Sequence, residues 1–175
     1  MVDFHENYRG HDTCVIAFAS GGEDFRHATP GFEWKRTLDA LPVDYILMRD
    51  STERWYTQGV EHIGGLMEVA AWIKQKMEPY KRRVGIGLSS GAYAALMFGQ
   101  LSYLDEVIAI SPLTILGPDA EQYFKDWVIR VRVPANHPVV DLRPYFTAGV
   151  IPRVRCFVSD GDGAELDYKM CSILG

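Results

Sequence analysis

Five short, almost unbroken apolar runs limit most tightly what this chain can fold into. They occupy 14–19, 43–48, 83–88, 107–110 and 154–158, and each closes on a polar or glycine-rich turn such as Ser20-Gly21-Gly22, Arg49-Asp50 or Ser159-Asp160-Gly161. Strands apolar on both faces belong to a parallel sheet covered on both sides. The intervening segments carry helical spacing. Over 61–77, Ile63, Leu66, Met67, Ala70, Ile73 and Met77 fall on one face, and Pro79 ends the pattern. Over 90–101, Ala92, Ala94, Ala95, Leu96, Met97 and Phe98 make a helix apolar on most sides, which predicts burial. Shorter helices are predicted around 34–38 and from Ala164 onward. The alternation predicts an α/β fold, a three-layer α/β/α arrangement on a mostly parallel sheet of about five strands with right-handed crossovers.

A length of 175 residues matches one domain, 1–175. Within it, 113–151 reads as a long irregular, cap-like insertion punctuated by Pro118, Pro134, Pro138 and Pro144, with one helical piece at 120–128. A composition of 47% hydrophobic and 23% charged residues excludes a disordered chain. The net charge of −5, without a basic stripe, excludes nucleic acid as a partner. No apolar run approaches the ~18 residues of a membrane span. The N-terminus lacks the apolar core of a secretion signal, so the expected setting is cytoplasmic. Lys81, Arg82 and Arg83 read as a solvated helix end. Cys14, Cys156 and Cys171 are too few and too scattered for a disulfide framework or a zinc site. Cys14 and Cys156, lying in apolar runs, read as small buried hydrophobes.

The chemistry centres on Gly87-Leu88-Ser89-Ser90-Gly91, a G-x-S-x-G pentapeptide between a buried strand and a small-residue helix. That strand–turn–helix setting is what a nucleophilic serine on a strained turn requires. The flanking glycines give clearance for the tight bend, and the helix N-terminus favours developing negative charge. The competing reading is a glycine-rich turn that binds nothing or a phosphate. A phosphate loop would place a Lys after the last Gly, and Gly85, Gly87 and Gly91 are mis-spaced for a dinucleotide fingerprint.

On this pentapeptide and the order of elements from Cys14 to Leu174, the chain resembles the α/β-hydrolase family. The resemblance implies acyl transfer: Ser89 attacks an ester or thioester carbonyl of a small acyl substrate. It also implies an oxyanion hole made by the N–H of Ser90 and an N–H near Gly22, in the loop where that family commonly carries His-Gly and this chain has Ser20. The family's spacing after the last strand favours Asp162 as the acid, with Asp160 second. An Asp-Gly turn without chemistry remains the alternative there, and the D-x-D-G pattern does not continue as a calcium loop. No cofactor or metal is implied.

The family orders its triad as Ser, acid, then His. After Asp162 there is no histidine; His5, His11, His27, His62 and His137 all lie upstream. A serine hydroxyl without a base is a weak nucleophile, so activity is expected to be impaired unless the base comes from elsewhere. The leading explanation is a chain that stops short of the family's His-bearing element. His137, in the insertion, and His27, past the oxyanion loop, are candidate replacements. A non-catalytic binding or assembly module on the same scaffold is the remaining alternative. An acyltransferase, in which an alcohol replaces water, is the alternative among enzymes. With no strand after it, 154–158 is expected to form a sheet edge, which leads to the expectation of a homodimer. Trp34, Trp55, Tyr56, Tyr93, Tyr123, Phe124 and Trp127 are candidates for a substrate pocket or for ordinary core. Arg49 and Asp50 are candidates for a polar substrate contact or, with Glu53, for a helix cap.

Overall fold

The computed structural model describes residues 3–20, 32–52, 54–116, 141–146, 152–158, 160 and 164–172. Six strands form one sheet in the order β1-β3-β2-β4-β5-β6. They are β1 (Phe4–Asn7), β2 (Thr13–Phe18), β3 (Asp44–Met48), β4 (Arg82–Leu88), β5 (Glu106–Ile110) and β6 (Arg153–Phe157). All neighbours pair in parallel except β1, which runs antiparallel along β3 with Phe4 opposite Met48. The described helices are α1 (Lys35–Asp39), α2 (Leu66–Met77), α3 (Ser90–Leu101), α4 (Arg143–Phe146) and α5 (Ala164–Ser172). None of them is long and apolar enough to cross a membrane.

The apolar runs of β2, β3, β4 and β5 follow from burial on both sheet faces, whereas β6 exposes Arg153, Arg155 and Phe157 on one of them. On one face Cys14, Ile16, Phe18, Ile46, Met48, Val107 and Ala109 pack against α2, α3 and Met170 of α5. On the other, Val15, Ala17, Tyr45, Leu47 and Val84 pack against Leu38 of α1, with Phe32 and Trp34 at the margin. Successive side chains of a strand point to opposite faces, so a strand buried twice has no polar position to spare.

Several expectations are corrected. The sheet has six strands rather than about five, because Phe-His-Glu-Asn of β1 shows no apolar alternation and only half-buries its side chains at the sheet's margin. Helix α2 begins at Leu66, not near 61. Gly64 has φ 136°, and Val60 and Gly64 form a bridge that holds 61–63 in a turn. Lys81, Arg82 and Arg83 do not end a helix. They lead into β4, where Lys81 pairs with Asp12, Arg82 with the buried Glu106 and Arg83 with Asp105. Cys156 is half-buried, unlike Cys14. The 120–128 helix lies outside the described residues, but the stems of the insertion are placed. Ile115 bridges Asp141, the N–H of Leu142 donates to the Thr114 carbonyl, and Leu113, Ile115, Leu116, Leu142 and Phe146 are buried.

At the end of the sheet opposite the carboxyl ends of the parallel strands, Asp44 ties three elements together. Its carboxylate, 2% exposed, accepts the backbone N–H groups of Arg9 (2.8 Å), Gly10 (3.3 Å) and His11 (3.1 Å), and the Tyr80 hydroxyl (3.0 Å). Burial alone would raise its pKa, but these donors outweigh burial and hold it below the usual carboxylate value. A carboxylate depressed in the folded state stabilises fully above its unfolded value, and that contribution disappears as pH falls through the folded value. Asp44→Asn is therefore expected to cost about 2 kcal/mol near neutrality. Urea unfolding at a series of pH values should show the gap between wild type and variant closing below about pH 4.

Candidate active site

The β4–α3 connection is built by backbone packed directly on backbone. A Cβ on Gly87 would lie 2.1 Å from the carbonyl carbon and oxygen of Gly91, and one on Gly91 would lie 2.3 Å from the Phe18 carbonyl oxygen. Neither position has room for any side chain, so both glycines of the pentapeptide are required by contact. Between them Ser89 has φ 54° and ψ −117°, outside the regions open to L-residues without strain. A residue held there costs on the order of 1–3 kcal/mol and persists only where its surroundings over-determine it. They do so here: the Ser89 N–H donates to the Ile110 carbonyl of β5 (2.9 Å), and the Ser89 carbonyl accepts the N–H of Tyr93 (3.1 Å). Ser89 is half-buried at the carboxyl end of β4, and Ser90, the first residue of α3, is buried.

Because Gly91 rests against Phe18 and Ala19, the end of β2 and the loop after it come up beside the start of α3. The sequence gives no hint of what anchors that loop. The Glu33 carboxylate accepts both the Ser20 N–H (2.6 Å) and the Ser20 hydroxyl (2.9 Å). Tyr56, a pocket candidate by sequence, belongs to the core. Its buried hydroxyl donates to the carbonyls of Ala19 (2.9 Å) and Met48 (3.2 Å), joining the ends of β2 and β3. Burial pushes its pKa well up, with Asp50 and Glu33 adding to the shift, so it stays a neutral donor. Trp55 meets the buried Tyr93 edge to face at 5.9 Å, one helical turn beyond Ser89. The polar candidates after β3 have partners within the fold. The Asp50 carboxylate accepts the N–H groups of Thr52, Arg54 and Tyr56. Arg49 pairs with Asp3 (3.2 Å) and lies over the Phe32 ring at 5.0 Å.

The remaining expected site residues are only partly placed. Gly22, Asp162, His27 and His137 lie outside the described residues, as do Glu53, Tyr123, Phe124 and Trp127. Asp160 is exposed just past β6. Among the described histidines, His5 lies on β1 and stacks on Phe32 at 5.9 Å. Two strands separate β1 from β4, which puts His5 about 14 Å from the pentapeptide at ordinary strand spacing. His11 precedes β2, at the other end of the sheet from Ser89. His62 groups with Asp3 and Glu61. The structure thus brings the Ser20 loop to Ser89 and Ser90, and places neither His5 nor His11 beside them.

No protein-family model matches the sequence, and no curated protein is similar to it. Solved structures are similar in fold. The capsule O-acetyltransferase of Neisseria meningitidis serogroup A, in complex with caged gadolinium, superposes with a TM-score of 0.67 at 13% identity over 98% of this chain and 75% of that one. A histidine-to-alanine mutant of the same protein, in complex with CoA, gives 0.67 at 12% identity over 98% and 76%. Together with the six-stranded, mostly parallel sheet, these likenesses show the fold alone: an α/β architecture shared with that O-acetyltransferase.

The two kinds of glycine make separable predictions. Gly91→Ala forces a methyl into the Phe18 backbone and should cost at least about 3 kcal/mol or prevent folding. Gly10→Ala, with nothing within 4 Å but φ 85°, should cost only about 1–2 kcal/mol. Urea titration of both variants against wild type measures the difference.

Proposed function

We propose that this chain carries out acyl-ester chemistry with Ser89 as the nucleophile at a nucleophile elbow. The observation that carries the reading is the positive φ of Ser89, held between two glycines that cannot be replaced. In the proposed reaction Ser89 Oγ attacks the carbonyl carbon of an ester or thioester. The bond from that carbon to the alkoxy oxygen or thiol sulfur breaks, and a base carries the Oγ proton to the leaving group. Water then attacks the acyl-serine, releasing the acid and restoring the hydroxyl. The N–H groups of Ser90 and of a residue near Gly22 are the proposed oxyanion donors, preorganised toward charge that develops only in the transition state. Asp162 is the proposed acid, with Asp160 second. His27 and His137 are the candidate bases within this chain.

A second reading is favoured by one observation. The solved structures with a TM-score of 0.67 are of an O-acetyltransferase, one of them holding CoA. On that reading the acyl group passes from a thioester through Ser89 to an alcohol in place of water. The two readings share every step up to the acyl-serine and differ only in the acceptor.

A fluorophosphonate probe tests the shared step. Wild type should label at Ser89, and Ser89→Ala, which has no oxygen to phosphonylate, should not label there. Folded wild type that does not label would overturn the proposal and favour a non-catalytic binding module. Of His27→Ala and His137→Ala, the variant that removes the base should label at least about a thousandfold more slowly than wild type. Labelling unchanged in both would exclude the two histidines. Release of CoA from acetyl-CoA, measured with and without an added alcohol, separates hydrolysis from transfer.

A further inference from the structure

We propose that Cys156 and Cys171 form a thiol pair that a small disulfide such as glutathione disulfide converts into an intramolecular bridge joining β6 to α5. The inference does not depend on the role of Ser89.

Register, packing and contact all bring the two residues together. Cys156 lies opposite the buried Ala109 of β5, on the sheet face that α3 covers, and packs with Val154 against that core. The last turn of α5 closes over the same margin. Met170 is fully buried in the same core, and its carbonyl accepts the buried Thr114 hydroxyl at 3.1 Å. Cys171 follows Met170 directly, and its thiol is in side-chain hydrogen-bond contact with that of Cys156. Both are half-buried, so a small oxidant can reach them, and closing the bridge needs the sulfurs to approach to about 2 Å.

The third cysteine provides an internal contrast. Cys14 is fully buried, and burial, with Asp44 and Glu6 nearby, pushes its thiol up to about 12. Cys156 moves the other way. Its contact with Cys171 lowers the pKa against the opposing effect of burial, which enriches the attacking thiolate.

The exchange proceeds in two displacements. The Cys156 thiolate attacks one sulfur of glutathione disulfide, expelling a glutathione thiolate and leaving a mixed disulfide. The Cys171 thiol, after losing its proton to water, attacks the Cys156 sulfur and expels the second glutathione. Two protein S–H bonds are lost, one S–S bond forms, and the oxidant is reduced to two thiols. The resulting ring encloses the connection that carries Asp160 and Asp162.

The test treats the folded full chain with glutathione disulfide and maps it by mass spectrometry without reduction. Trypsin cuts after Arg155 and Lys169, which separates Cys156 from Cys171. The expected result is a loss of two hydrogen masses, with peptides 156–169 and 170–175 joined, Cys14 alkylated only after denaturation, and full reversal by excess reduced glutathione. Cys171→Ser should instead retain one glutathione on Cys156, and Cys14→Ser should still form the bridge. Separate glutathione adducts without a bridge, a bridge between two chains, or no reaction of the folded wild type would each overturn the proposal.

Discussion

The candidate site depends on a contact between backbones. Gly87 lies against Gly91, and Gly91 lies against the carbonyl of Phe18, all at distances that leave no space for a methyl group. This contact draws three elements into one place: the carboxyl end of β4, the first turn of α3 and the end of β2. It also fixes the torsions of the residue between the glycines, because Ser89 must span an approach that no relaxed conformation closes. The strain is stored locally and offset by burial elsewhere. The helix that leaves the bend is buried along nearly its whole length, so the cost on the order of 1–3 kcal/mol is small beside the packing it makes available.

The same contact accounts for the small residues around it. Gly85 and Gly87 are on the sheet face toward α3, where a Cβ at Gly85 would already meet Leu104 at 3.1 Å. Gly99, two turns further along the helix, has room for nothing larger because Val107 would meet its Cβ at 2.4 Å. Helix α3 therefore comes down backbone to backbone on β4 at Gly87 and, at Gly99, directly onto the Val107 side chain of β5, with Ser90 buried at its start. A group meant to stabilise a transient charge gains most when it need not move to do so.

Much of this was legible in the sequence for a physical reason. A strand buried on both faces has to be apolar nearly throughout, so β2, β3, β4 and β5 announce themselves, while β6 shows a run of its own although Arg153, Arg155 and Phe157 are exposed. A buried helix set close to a sheet has to be small and apolar, so α3 is found with its limits, Ser90 and Leu101, intact. What the sequence hides is whatever is held by polar contacts between distant positions. Strand β1 is polar because only β3 and a half-covered face hold it. The 61–63 turn copies helical spacing and is kept out of α2 by a backbone bridge. The roles of Asp44, Asp50 and Glu33 reside in which N–H groups converge on them, and convergence leaves no mark on spacing. Tyr56 misleads in the same way, since an aromatic near a suspected pocket and an aromatic clamping two strand ends look alike until the hydroxyl's acceptors are seen.

The loops that leave β2, β3, β4 and β5 all emerge at the same end of the parallel sheet, where open α/β sheets hold their ligands. At that end several groups are held by specific contacts. Ser89 and Ser90 are set by the sheet and α3, and the Ser20 loop is fixed by Glu33 and Tyr56. Leaving from the same end is the insertion, whose stems are clamped by the Ile115–Asp141 bridge and by burial of Leu113, Leu116 and Leu142. In the proposed reaction the β4–α3 connection supplies the nucleophile Ser89 and the Ser90 N–H, while the base, the acid and the second oxyanion donor are assigned to residues outside it. Hydrolysis and transfer, as proposed, share Ser89 and differ only in the acceptor, so a fold shared with an O-acetyltransferase is compatible with either reading.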